Sequence, residues 1–187
     1  MTTRTKIFLG IGIAFALVLI TLFVLRKKIF RILLSAEQEV FIRDLHPKQQ
    51  NLFRKFIAAA QKRGWKVVLT SGFRSFAKQG ELKKANSKNA SPGRSVHNYG
   101  YAIDVNLVNI QTKKWLKKAS PKTDWIASGI PKLAEEMGLR WGGKAFAGYY
   151  DPVHFEKAVD TKVLLAQAKK QFGSDVTKIE GNKVLIT

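Results

Sequence analysis

The chain has 187 residues and no cysteine, which excludes disulfides, thiolate catalysis, zinc ribbons and lipid attachment through cysteine. Apolar residues make up 45% and aromatics 11%, enough for one buried core, so a disordered chain is excluded as well. The net charge of +20 favours a polyanionic partner, whether nucleic acid, a membrane surface or an acidic polymer, and it selects partners rather than chemistry.

In chain order, the first predicted element is the uncharged stretch Ile7 to Leu25, 19 residues long, which as a helix spans roughly 30 Å of hydrocarbon. Arg26, Lys27 and Lys28 follow it, where a cleaved signal would end in small residues, so 1–34 is read as an uncleaved membrane anchor with basic flanks. Arg4 and Lys6 precede the span and four cations follow it, so the positive-inside rule points the rest of the chain towards the cytoplasm. Beyond residue 34 the charge is still +14, with 27 basic against 13 acidic residues. Residues 35–44 are read as a linker.

A helix is predicted from near Pro47, with Leu52, Phe53, Phe56, Ile57 and Ala60 on one face and Gly64 closing it. Trp65 to Thr70 follows as a buried strand, Ser71 to Arg74 as the turn leaving it, Gln79 to Ala85 as a helix, and 86–94 as a polar loop. From Tyr101 to Val108 the pattern alternates: Tyr101, Ile103, Val105 and Leu107 point one way, and Ala102, Asp104 and Asn106 the other. A helix is predicted over Asp124 to Met137, with Pro131 as an alternative first turn and Gly138 as its end. A strand at Val153 to Glu156, a helix with Leu164, Leu165, Ala168 and Phe172 on its apolar side, and a hairpin-like tail at 173–187 complete the chain. Short strands mixed irregularly with helices point to an α+β domain over 45–172 rather than a doubly wound sheet.

Without cysteine, a metal site must be built from His, Asp and Glu, and the histidines are three: His46, His97 and His154. His46, before Pro47 at a helix start, reads as a cap. The other two lie in Ser95-Val-His97-Asn-Tyr-Gly100-Tyr-Ala-Ile-Asp104 and Asp151-Pro-Val-His154-Phe-Glu156. His97 and Asp104, seven apart, would face opposite sides of a straight strand, so convergence requires a bend, which Gly100 supplies. Two imidazoles and a carboxylate suit zinc and leave a fourth position for water. Asp151 is then placed to act as general base and Arg74 to hold an oxyanion. Glu156 either orients a ligand or ends its strand. From spacing alone, solvated or capping roles for these side chains stay open. The pairs Lys113-Lys114 and Lys117-Lys118 read as solvated faces that add to the attraction for anionic polymers. Among the four tryptophans, Trp141 is the candidate for substrate contact, because it follows Leu139 and Arg140 on the approach to the site.

Taken together, the Ser-x-His-x-x-Gly-x-Ala-x-Asp segment from Ser95 to Asp104, the acid-x-x-His of Asp151 to His154 and the Ser-Gly-aromatic-Arg-Ser turn from Ser71 resemble the D-alanyl-D-alanine metallopeptidase family, over roughly residues 45–158. The resemblance implies a small hedgehog- and DD-peptidase-like domain, with a central antiparallel sheet and flanking helices. It implies zinc ligands His97, Asp104 and His154, a catalytic acid at Asp151, a transition-state arginine at Arg74 and a substrate contact at Ser95. The Leu45-His46-Pro47 opening and the Asp at 151 look most like the L-alanyl-D-glutamate endopeptidases of phage lysins and bacterial wall hydrolases. The segment Gly142-Gly-Lys-Ala-Phe-Ala-Gly148 departs from the Trp- and Asp-rich version expected of relatives. A D-alanyl-D-alanine carboxypeptidase or dipeptidase is therefore the alternative enzyme, and a non-catalytic wall-binding module the alternative of another class. The partners implied are peptidoglycan stem peptides, with anionic wall polymers or a membrane surface and no specific nucleic acid. The expectation is a monomer held by Ile7 to Leu25 in a membrane, its catalytic domain outside, against the direction of the charge rule.

Overall fold

A strand with one dry and one open face organises the fold in the computed structural model, which describes residues 38–146 and 148–175. The elements in chain order are α1 (38–43), α2 (Pro47–Lys62), β1 (Trp65–Ser71), α3 (Phe76–Ala85), β2 (Ala102–Asn109), β3 (Trp115–Leu116), α4 (Lys122–Ala127), α5 (Ile130–Glu136), β4 (Arg140–Trp141), α6 (Gly142–Ala145), β5 (His154–Glu156) and α7 (Thr161–Phe172). Along β2, Ile103, Val105 and Leu107 are buried while Asp104 and Asn106 stay half-buried, the alternation expected of a strand with one face on the core. The anchor span Ile7 to Leu25, and the tail from 176 onward, lie outside the described residues. Among the described residues no helix is long and apolar enough to cross a membrane.

The sheet is antiparallel, in the order β1-β2-β5-β4, with β3 against the far end of β2. One edge of β2 carries β1, Trp65 opposite Asn109; its other edge carries β5, Asp104 opposite His154, and then β3, Leu107 opposite Leu116. A register shift between Leu69 and Ser71 bulges β1 where it reaches Asp104. Such a bulge re-aims the residues that follow it.

Helix α2 begins where Pro47 supplies a preset φ and His46 Nδ1 accepts the Lys48 N–H at 3.2 Å. Its face of Phe53, Phe56, Ile57 and Ala60 is buried, with the Phe56 and Phe155 rings 5.1 Å apart. Each such aromatic removes enough apolar surface from water to contribute about 1.5–3 kcal/mol.

Three expectations are corrected. The segment read as a linker is helical over 38–43, and Ile42 and Leu45 are at most 1% exposed in the core, so the domain begins earlier than residue 45. The helix expected over Asp124 to Met137 is two, α4 and α5. Gly129 between them has φ +72, and Pro131 in the first turn of α5 has no N–H to continue a helix from α4. On α7, Ala168 is buried, and Leu164 and Leu165 pack against Phe76 and Tyr99, but Phe172 is 48% exposed and lies off that contact.

Candidate metal centre

The chain brings His97 to Asp104 by a short 3-10 turn, Val96–Tyr99, closed by Gly100 at φ +71. A side chain at Gly100 would meet His46 N at 2.3 Å and Leu45 C at 2.9 Å, so both the left-handed backbone and the close approach demand glycine. The turn is tied to the segment after β1, for Arg74 N donates to His97 O at 3.0 Å and Asn98 Nδ2 to Arg74 O at 2.9 Å. Asp104 and His154 are direct cross-strand neighbours on β2 and β5.

Hydrogen bonds on the far side of each ring assign the lone pairs. His97 Nδ1 lies 2.7 Å from Gly72 O and donates to it, leaving Nε2 as the base. His154 Nε2 lies 2.9 Å from Glu156 Oε2, which leaves Nδ1. These two nitrogens are 3.1 Å apart, and Asp104 Oδ1 is 3.2 Å from the first and 3.0 Å from the second. Three acceptors converging on one point require a cation or a proton among them. A tetrahedral zinc with bonds of about 2.0 Å has ligand-to-ligand edges of roughly 3.3 Å, so the triangle has the size of one tetrahedral face. The nitrogen, nitrogen, oxygen set suits that ion and leaves a coordination position open.

The electrostatics of the site agree. Burial opposes a charge on His154, but the carboxylates of Asp104 and Glu156 outweigh it and push its pKa up to about 9. His97 is pushed down by its burial, so its approach to Asp104 is not an ion pair. Burial alone would raise Asp104, yet the imidazoles beside it hold it well below the usual carboxylate range. The carboxylates around His154 thus favour positive charge where the three groups converge.

Arg74 donates from Nη2 to Asp104 Oδ2 and from Nε to Ser71 Oγ at 2.8 Å. Glu156 is 1% exposed and shares its second oxygen with the Arg140 guanidinium. Asp151 Oδ1 is buried and, among the described residues, has no hydrogen-bond partner; Lys118 Nζ is 3.6 Å away. Burial raises the Asp151 carboxyl above its ordinary value, Asp104 adds to that, and Lys118 opposes it. A buried oxygen without a partner, on a carboxyl that holds its proton more tightly than usual, is suited to moving protons.

All these groups line one cleft of about 1040 Å³, which Ser95 also borders at the start of the 3-10 turn. The sequence-derived residues His97, Asp104, His154, Asp151, Arg74 and Ser95 thus come together. Trp141 does not. It is 3% exposed, its Nε1 donates to Pro152 O at 2.8 Å, and its ring lies 6.4 Å from that of Trp125, so it is core rather than substrate contact. Alternation along β4 explains this, since neighbouring strand residues face opposite ways and the one that reaches the site is Arg140, paired across the sheet with Glu156. His46 is a buried cap whose ring is tilted against that of Tyr101, centres 4.9 Å apart. Sequence reasoning did not single out Arg140, which holds Glu156, or Tyr149, whose hydroxyl lies 3.1 Å from Lys118 Nζ, and it read Lys118, which borders Asp151, as part of a solvated face.

A family model described as D-alanyl-D-alanine carboxypeptidase matches residues 88–157, which span both ligand segments. The peptidoglycan L-alanyl-D-glutamate endopeptidase CwlK of Bacillus subtilis (strain 168) is 38% identical over 120 residues, covering 57% of this chain and 71% of the relative. Among solved structures, the L-Ala D-Glu endopeptidase ChiX of Serratia marcescens is similar with a TM-score of 0.47 and 25% identity, covering 73% of this chain and 90% of its own. The vancomycin resistance D,D-pentapeptidase VanY in complex with Zn(II) is similar with a TM-score of 0.45 and 16% identity, covering 71% of this chain and 81% of its own. With the two imidazoles, the carboxylate and Asp151 in one cleft, the chain belongs to the D-alanyl-D-alanine metallopeptidase family, and its His97, Asp104 and His154 set suits zinc.

Proposed function

We propose that this chain hydrolyses the L-alanyl-D-glutamate bond of peptidoglycan stem peptides. The observation that carries the reading is the buried, unpartnered oxygen of Asp151 in the same cleft as the His97, Asp104 and His154 lone pairs. His97, Asp104 and His154 would hold zinc, which would supply a Lewis acid to polarise a carbonyl and to make water a nucleophile near neutral pH. Asp151 takes a proton from the attacking water as the new oxygen–carbon bond forms. Arg74, fixed by Asp104 and Ser71, lies beside the carbonyl oxygen as it gains charge. Asp151 then gives its proton to the amine as the carbon–nitrogen bond breaks, leaving a free acid and a free amine. Ser95 contacts the bound peptide from the rim of the cleft.

The 38% identical relative is named for the L-alanyl-D-glutamate bond, which supports this choice, whereas the matching family description names D-alanyl-D-alanine. Digestion of purified peptidoglycan decides between them: new N-terminal D-glutamate is expected, and free D-alanine instead would overturn the choice of bond. We further propose that Ile7 to Leu25 anchors the domain on the wall side of the membrane, where its substrate is. Protease added to intact cells should then remove the domain, and protection until the membrane is opened would place it in the cytoplasm.

A further inference from the structure

Two cations approach the metal triangle from opposite edges of β2. Arg74 follows β1 on one edge, and Lys118 follows β3 on the other. Lys118 Nζ lies 3.6 Å from Asp151 Oδ1 and 3.1 Å from the Tyr149 hydroxyl, and 5.6 Å from the centre of the Tyr149 ring. Partial burial works against its charge, but Tyr149 and Asp151 outweigh that and keep it an ammonium. At 3.6 Å the pair with Asp151 is longer than a hydrogen bond, and an ammonium has three donors, so Lys118 has capacity for another acceptor.

The chemistry of the leaving residue says what that acceptor is. On the reading above, Asp151 gives its proton to the amine of D-glutamate, so that nitrogen must come within hydrogen-bond reach of Asp151. D-Glutamate has two carboxyls, and in a stem peptide the chain continues through the side-chain one, leaving the α-carboxyl free. Its carbon is two bonds, about 2.5 Å, from the leaving nitrogen. A carboxylate so close to the proton donor falls beside the cation that already borders that donor. We propose that Lys118, held by Tyr149, is a specificity-determining residue that binds the free α-carboxylate of the leaving D-glutamate. The proposal rests on the endopeptidase reading. It makes the substrate a stem peptide whose D-glutamate is not amidated.

The test uses the full chain loaded with zinc and two synthetic tripeptides, L-alanyl-γ-D-glutamyl-L-lysine and the same peptide with the α-carboxyl as its amide. Wild-type protein should cut the acid with a kcat/KM roughly ten- to a hundredfold above the amide, the size of a charge-assisted hydrogen bond. Lys118→Met should bring the two within about threefold by losing more on the acid than on the amide, mostly through KM, and Lys118→Arg should restore much of the preference. The ratio of acid to amide within one variant cancels any effect of the change on folding or on Asp151, because both substrates share it. Equal cutting of acid and amide by the wild type overturns the proposal, as does a Lys118→Met protein that loses both substrates equally or keeps the preference. Those outcomes leave the endopeptidase reading standing. A wild-type protein that cuts neither tripeptide but frees D-alanine from a stem pentapeptide sinks that reading, and the D-glutamate proposal with it.

Discussion

Replacing Glu156 should weaken zinc binding without removing any ligand to the metal. Both of its oxygens are in use, one receiving the His154 Nε2–H at 2.9 Å and the other the Arg140 guanidinium. That first bond is what leaves Nδ1 of His154 as the lone pair aimed at the triangle. Glu156→Ala leaves a buried N–H without an acceptor, which costs about 1–3 kcal/mol, and it lets the other tautomer compete. Losing the outer partner of a ligating histidine typically costs about 10–100-fold in metal affinity, and that range corresponds to about 1.4–2.8 kcal/mol. The two magnitudes agree, so the orphaned imidazole accounts for the whole expected loss. Glu156→Gln keeps an oxygen for the same N–H and should lose only a few-fold. Arg140→Ala should lose least, because the Arg140 side chain is 50% exposed and water can replace part of what it gives. Competition against a chromogenic zinc chelator measures the affinities, and circular dichroism of each metal-free protein checks the fold. A Glu156→Ala protein that binds zinc within twofold of the parent would refute the reasoning.

Asp151→Ala should retain zinc and lose hydrolysis by at least about a hundredfold, while His97→Ala should lose both; metal content and single-turnover rates separate the two, and normal turnover by Asp151→Ala removes it from the mechanism. Gly100→Ala, at φ +71 with a new carbon 2.3 Å from a backbone nitrogen, should destabilise by roughly 2–4 kcal/mol in urea titration; a change below about 1 kcal/mol would show that the turn yields. The metal-free protein should lose stability as pH rises. The folded pKa of His154, about 9, is above its unfolded value of roughly 6.5, so its stabilisation is complete below the lower value, falls between the two and is gone above the higher. Thermal melts of chelator-treated protein across that window check the sign, and a melting temperature that rises through it contradicts the proton bound in the triangle.

The ligands were legible because they are scarce and because β2 alternates. With three histidines in the chain and one of them before a helix proline, the other two had few partners, and Asp104 sat on the open face of a strand whose other face was apolar. Gly100 was legible for a geometric reason, since nothing else lets residues seven apart meet. What sequence could not give were contacts set by register. Arg140 and Trp141 are neighbours, and only the pairing of β4 with β5 decides that the arginine meets Glu156 while the tryptophan goes into the core. Lys117 and Lys118 look alike as a charge run, yet one lies over the Trp115 ring at 4.8 Å and the other reaches Asp151. The α4 and α5 break was half legible, in Pro131, but the left-handed Gly129 that turns the chain follows from packing both Trp125 and Ile130 into one core.

Positive charge in the cleft wall differs from that on the rest of the surface in what it can select. Its wall carries five basic residues, Arg74, Lys78, Lys88, Lys118 and Arg140, against three acids, Asp104, Asp151 and Glu156. Each acid is bound into the site itself: one converges on the imidazoles and Arg74, one faces Lys118, and one holds His154 and Arg140. Arg74 and Arg140 are likewise engaged, and Lys78 is paired with Glu81 at 2.7 Å, which leaves Lys118, beside Asp151, as the wall cation placed to act on what enters. Charge spread over the rest of the surface acts at distances that salt screens within about 8 Å, so it cannot choose a bond. The choice must be made at contact, by a cation beside the proton donor, where screening is weak and a single carboxylate more or less on the leaving residue changes the binding of the transition state.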